Sequence, residues 1–218
     1  MLLLCSKEKD YRKWKDFKGS YKLLEPYDFK GVDLRKAYLV EFDLSNVQLD
    51  GADLREANLE GAYLYAASLE RANLNGAYLH RSSLRRANLK GANLKFALVP
   101  SCDLSKANLE GAKLNEGLYL EGANLSRTNL KGANLKEANF KGANLTEANL
   151  EGANLKGAKL CKAHLERSHL VETNFKEADL KGAFTEGAFC VNTNFKGTTF
   201  LKKWYWPIKE SKHIDRLL

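Results

Sequence analysis

The chain has 218 residues, of which 28% are charged and 44% hydrophobic, and a formal net charge of +8. No stretch reaches the roughly 18 apolar residues that a membrane-spanning helix requires, so none is expected. Cys5, Cys102, Cys161 and Cys190 lie far apart and share no Cys-x-x-Cys or zinc-ligand spacing, so reduced thiols and no metal or cofactor are expected.

The chain opens Met1-Leu2-Leu3-Leu4-Cys5-Ser6, which superficially looks like a lipoprotein cleavage box. A signal peptide needs a basic region and about 7–15 apolar residues ahead of the cut. Four residues do not supply that, and a cytoplasmic protein is expected. Residues 1–23 are predicted to form an N-terminal cap. Within it, Ser6 to Phe17 suits a short helix with Ser6 as its cap and Tyr11, Trp14 and Phe17 on one face.

From residue 24 to 201 one pattern recurs every five residues. Leu or Phe centres every pentad from Phe29 to Phe200 except at Val99, Thr185 and Cys190. The unit is Ala-(Asn/Asp)-Leu-x-x, with one extra residue, a bulge, near 115–120. A helix repeats at 3.6 residues and a strand at 2, so neither explains a period of five. The pattern does close if each pentad forms one side of a square coil. Positions one and three then point inward, and Cys102 and Cys190 fall on such positions. Gly91, Gly111, Gly132 and Gly152 at position five fit corners that need permissive backbone angles. They alternate with Glu, Arg or Lys, which predicts two turn types around the coil.

These Ala-(Asn/Asp)-Leu-x-x pentads, as in Ala92 to Phe96 or Ala133 to Glu137, resemble the pentapeptide-repeat protein family. The resemblance implies an all-β fold, a right-handed quadrilateral parallel β-helix. Thirty-five pentads make about nine coils and a rod of roughly 40 Å at β spacing. An interior filled by Leu and Ala leaves no cavity for a substrate. No phosphate-binding loop, His-Glu-x-x-His or nucleophile elbow is present, and no enzyme activity is expected.

Stacking at twenty residues sorts the outward side chains into columns. Glu70, Lys90, Glu110, Lys131 and Glu151 alternate in sign, a stabilising ladder. Arg35, Arg55, Asn75, Lys95, Asn115, Lys136, Lys156, Lys176 and Lys196 form a basic column, a candidate face for an acidic partner or simply solvated surface. A second basic cluster gathers Arg85, Arg86, Lys106 and Arg127. Tyr78, Leu98 and Tyr119, flanked by Phe96 and Pro100, form a candidate apolar patch. Phe184 is placed over His164 and Phe189 over His169, as aromatic stacking rather than metal binding. Residues 202–218 are read as a C-terminal lid, with Trp204, Tyr205 and Trp206 covering the open coil and a short terminal helix. Surplus apolar surface there offers a route to a homodimer.

The expected function is a non-enzymatic protein-interaction scaffold whose faces hold a protein partner, an acidic one included. Weak, salt-sensitive contact with nucleic acid or an anionic membrane through the basic faces is an alternative. The resemblance also brings in the family's DNA-mimicking members, which bind type II topoisomerases. That mimicry needs an acidic surface, and a pI near 9.2 argues against it.

Overall fold

A computed structural model describes residues 28–114 and 118–200. The caps expected over 1–23 and 202–218, with Trp204, Tyr205 and Trp206, lie outside the described residues, as does Asn115. Backbone pairing is parallel and regular: Asp28 meets Gln48, Asp33 meets Asp53, Tyr38 meets Asn58 and Asp43 meets Tyr63, each twenty residues on. Four pentads therefore complete one coil, and the four pairings define four faces, numbered first to fourth in that order. Across 115–117 the offset becomes twenty-one, with Leu98 meeting Tyr119 and Lys113 meeting Asn134, and it returns to twenty where Tyr119 meets Asn139. The extra residue is absorbed locally and the faces stay in line.

Positions one and three fill the interior. Ala and Leu there form one continuous buried cluster from Leu34 to Phe195. Where position one is polar, the hydroxyl donates to a main-chain carbonyl: Ser82 to Leu79, Thr128 to Leu104, Ser168 to Leu165 and Thr173 to Leu150. Satisfied in this way, a buried hydroxyl escapes the desolvation penalty of an unpaired one. Cys102 is buried and Cys190 packs against the core, both inward as the register predicts. Burial pushes the Cys102 thiol up to about 12 and the Cys190 thiol up to about 11. Cys161 falls at position four and is partly exposed.

The repeat is best understood by asking where its backbone N–H groups go. Position three donates to the position-two carbonyl of the next coil, as Leu34 does to Asp53. Position five donates to position four of the next coil, as Lys36 does to Arg55, and position two donates back to position one, as Asp53 does to Val32. Position one closes the corner by donating to the preceding position three, as Ala37 does to Leu34. Only the position-four N–H lacks a main-chain acceptor. It donates instead to the Oδ1 of position two in its own pentad, for instance Lys95 to Asn93, Lys131 to Asn129 and Lys176 to Asn174. Every Asn or Asp at position two among the described residues serves this way, an Asx turn. The amides also link coils, Asn93 donating to Asn73 and Asn129 to Asn108.

The corners differ from expectation. Position five is left-handed at Gly91 (φ 65°) and Gly132 (φ 64°), but equally at Lys106 (φ 60°), Glu137 (φ 60°) and Lys162 (φ 57°). One left-handed corner residue recurs throughout, so alternation of Gly with charged residues does not mark two backbone classes at that position. A Cβ on Gly132 would meet nothing within 4 Å. The cost of a side chain at such a site is therefore that of the left-handed conformation alone, about 1 kcal/mol.

Replacing Asn129 by Ala removes an Asx acceptor and an inter-coil donor; urea unfolding should show a loss of about 1 kcal/mol. An unchanged midpoint would mean the amide supports nothing. Alkylation of the native protein followed by peptide mapping should label Cys161 and spare Cys102 until denaturant is added. Early labelling of Cys102 would show an open interior.

Candidate interaction faces

The second face carries the basic column at position four, beginning with Arg35 and Arg55. Both arginines are held by carboxylates of the same face. Arg35 lies 2.5 Å from Asp33 and Arg55 2.6 Å from Asp53. The hydrogen bond from Arg35 holds Asp33 down to about 2. Farther along, Lys136 lies 3.3 Å from Glu137, while Lys156 and Lys176 lie 3.7 and 3.5 Å from Glu177. Position-five carboxylates thus sit beside and between the lysines and soften the like charge of the column. Lys95 and Lys196 continue the column at position four, each donating its main-chain N–H to the Asn two residues before it.

On the first face the alternating ladder is in place, with Lys90 3.1 Å from Glu110 and Lys131 2.9 Å from Glu151. These pairs are half exposed, so solvent and salt screen them and they add little to stability. At its C-terminal end His169 and Phe189 come within 6.0 Å, tilted. The fourth face stacks His164 on Phe184 at 4.6 Å, and His164 contacts Glu166 at 3.0 Å. Both aromatic pairs fall where the register places them.

The second basic cluster, on the fourth face, is divided by its partners. Arg127 is taken by Glu147 at 2.9 Å. Arg86 donates to the Tyr65 hydroxyl at 3.0 Å and lies over that ring. Arg85 and Lys106 make no ion pair among the described residues. Sequence columns alone missed three neighbours. Tyr63 and Tyr65 precede Ser83 and Arg85 by one coil on the fourth face, and Arg81 stands at the corner where the third face turns into it. The register could have found all three, since each lies one coil or one corner from a residue already singled out.

The third face holds the apolar patch. Tyr78 pairs with Leu98, and Leu98 with Tyr119, so the three stack on successive coils. Their exposures are 48%, 42% and 41%, with Phe96 at the preceding corner at 53%. Tyr119 donates to Glu121, which also meets Lys141 at 3.2 Å. That hydrogen bond to a carboxylate pushes the Tyr119 hydroxyl above the usual phenol range. All three residues occupy position two, where the repeat needs an Asx acceptor. His80 and Glu121 therefore lack one, and beside Leu98 the position-four residue is Pro100, which has no N–H to satisfy.

Among the described residues no helix is long and apolar enough to cross a membrane. Comparison with known proteins bears on what kind of molecule this is. Among solved structures, HetL from the cyanobacterium Nostoc sp. strain PCC 7120, a pentapeptide repeat protein involved in heterocyst differentiation regulation, is 30% identical. The match covers 90% of this chain and 94% of that one, with a TM-score of 0.43. A trypsin-treated form of QnrB1, a plasmid-mediated fluoroquinolone resistance protein, is 18% identical over 80% of this chain and 93% of its own, TM-score 0.48. A pentapeptide repeat protein of the Arabidopsis thaliana thylakoid lumen is 31% identical over 55% of this chain and 69% of its own, TM-score 0.20. No curated protein matches in sequence. The family model for pentapeptide repeats matches in eight copies, over residues 28–64, 62–97, 116–152, 148–184 and 173–202. That span takes in nearly every coil whose pairing is described above, and the chain belongs to the pentapeptide repeat family.

Proposed function

We propose that this chain is a non-enzymatic interaction scaffold, a right-handed four-sided rod of about nine coils, that holds a protein partner on its third face. The observation that carries this reading is the run Tyr78, Leu98 and Tyr119. Over the same coils the other three faces keep short polar residues or Lys at position two: Ser68, Asn88 and Asn108; Asn73, Asn93 and Lys113; Ser83, Asp103 and Asn124. The third face alone gives up the Asx acceptor on three successive coils and presents apolar side chains to solvent. The hydrogen bonds lost at His80 and at Glu121 are worth about 1 kcal/mol each, with no packing gain inside the rod, because position two points outward. An exposed apolar cluster held against local stability is the signature of a docking surface.

Charge weighs against the reading that uses the whole rod as a polycation. Residues 28–200 contain 23 Lys and Arg and 21 Asp and Glu, so the solenoid is close to neutral. Six of the eight net charges belong to residues 1–27 and 201–218. Contact with nucleic acid or an anionic membrane, if made, is assigned to those segments and not to the lysine column.

The test is a nuclease-treated pull-down from native cells with three baits: wild type, Tyr78→Asn with Tyr119→Asn, and Lys136, Lys156, Lys176 and Lys196 each changed to Glu. The tyrosine variant restores two Asx acceptors, so it should unfold about 1 kcal/mol later per site and yet lose a captured protein. The lysine variant should retain it. Loss from the lysine variant alone would move the function to the second face and overturn the assignment.

A further inference from the structure

The charges of the solenoid are also unevenly distributed along its axis. Residues 28–70 hold four Lys and Arg against nine Asp and Glu, while residues 71–106 hold seven against Asp103 alone. A basic belt of about two coils, roughly 10 Å tall, follows an acidic end. The apolar patch lies at the same height, since Tyr78, Phe96 and Leu98 fall within those residues. Ion pairing does not consume the belt evenly. Lys90 is held by Glu110 and Arg71 lies 3.8 Å from Glu70. Arg81, Arg85 and Lys106 are exposed and make no ion pair among the described residues. Arg81 follows Tyr78 by three residues at the edge of the third face. Arg85 ends the fourth face of that coil, and Lys106 is one coil on. Between them stand Ser83 and Ser105, too short to screen the cations, and one carboxylate, Asp103, which accepts from the Ser105 N–H.

We infer that the third face and the adjoining fourth face together dock an acidic protein segment that also carries an aromatic or apolar side chain. This rests on the reading of the third face as a docking surface and adds the chemistry of the partner. Carboxylates meet Arg81, Arg85 and Lys106, and the apolar side chain lies on Tyr78 and Leu98. Aromatic and arginine side chains together are the composition that dominates binding energy at protein interfaces. A nucleic-acid strand is the poorer fit. Its phosphates need a run of cations longer than two coils, and the neighbouring coils 28–70 would repel it.

The probe is a fluorescent random copolymer of Glu and Tyr, compared with poly-Glu, single-stranded DNA and duplex DNA at one ionic strength. Two variants of equal charge change are compared with wild type: Arg81, Arg85 and Lys106 to Gln, and Lys136, Lys156 and Lys176 to Gln. Circular dichroism and thermal unfolding check that both fold. The copolymer should bind wild type more tightly than poly-Glu or either DNA. The first variant should weaken it about tenfold and the second less than about twofold. Changing Tyr78 and Leu98 to Ser should erase the preference for the copolymer over poly-Glu. Equal binding by both Gln variants, or no copolymer binding at all, overturns the acidic-partner assignment. Tighter DNA binding abolished by the first variant overturns it in favour of a phosphate polymer. The pull-down on Tyr78 and Tyr119 reads the docking surface separately: a protein lost there while the copolymer fails leaves the surface standing and rejects only the partner's charge.

Discussion

One N–H in five has no main-chain acceptor in this fold, and the rod depends on what is done about it. Four backbone donors of each pentad are met by the coil before, the coil after or the corner itself. The fifth, at position four, is met by the side chain two residues earlier, as Asn129 meets Lys131. The acceptor must be short enough to fold back on its own turn, so Asn and Asp suit the position and longer amides do not. That local bond also orients the amide so that its nitrogen reaches the coil below, as Asn174 does to Asn154. Local closure and inter-coil cohesion are thus set by one residue type, which makes each coil's stability depend on its neighbours.

This constraint turns the surface into a short alphabet. Positions one and three are committed to the interior, position two to the acceptor, and position five to a left-handed corner. The side chain at position four has no backbone duty, and charged residues gather there and at the solvent-open corners. A departure at position two is informative in a way that a lysine at position four is not. Ser68 shows how a substitute is repaired: Asp50 of the preceding coil accepts from both the Ser68 hydroxyl and the Glu70 N–H. Tyr78 and Tyr119 have no such repair. Leu98 needs none, because Pro100 follows it.

The period of five, the twenty-residue stack and the inward set were legible in the sequence because each rests on a repeated apolar spacing. The stacking of Phe184 on His164 followed from the register alone. That Glu137 and Glu177 lie beside the lysine column was legible too, but which lysines they meet was not. Whether Glu177 reaches Lys156, Lys176 or solvent depends on side-chain conformations at a corner, which a column of letters does not contain. The alternation of Gly with Glu or Lys suggested two turn types for a similar reason. Glycine marks where a left-handed residue is easy, but a solvent-open corner tolerates Lys162 there at modest cost. The role of Asn at position two was present in the pattern. It becomes visible only when the backbone donors are counted one by one, and Pro100 was the clue that a donor was in question.

Axial zoning of charge follows from the same alphabet. In a globular domain, neighbours in sequence scatter over the surface, so a run of like charges along the chain says little about a patch. In a solenoid, forty residues of sequence are two coils of height, and a compositional run becomes a band around the rod. The band at residues 71–106 and the acidic coils before it are therefore physical neighbours on every face. Where the band crosses the third face it coincides with the loss of the Asx acceptors. The basic excess comes from residues exposed at corners and face ends, the apolar patch from a position that the backbone would fill with Asn. Two independent departures from the repeat meet on adjoining faces at one height of the rod. Stability explains neither of them, since one forgoes hydrogen bonds and the other concentrates like charge. Recognition of a segment that is both acidic and apolar accounts for the two together.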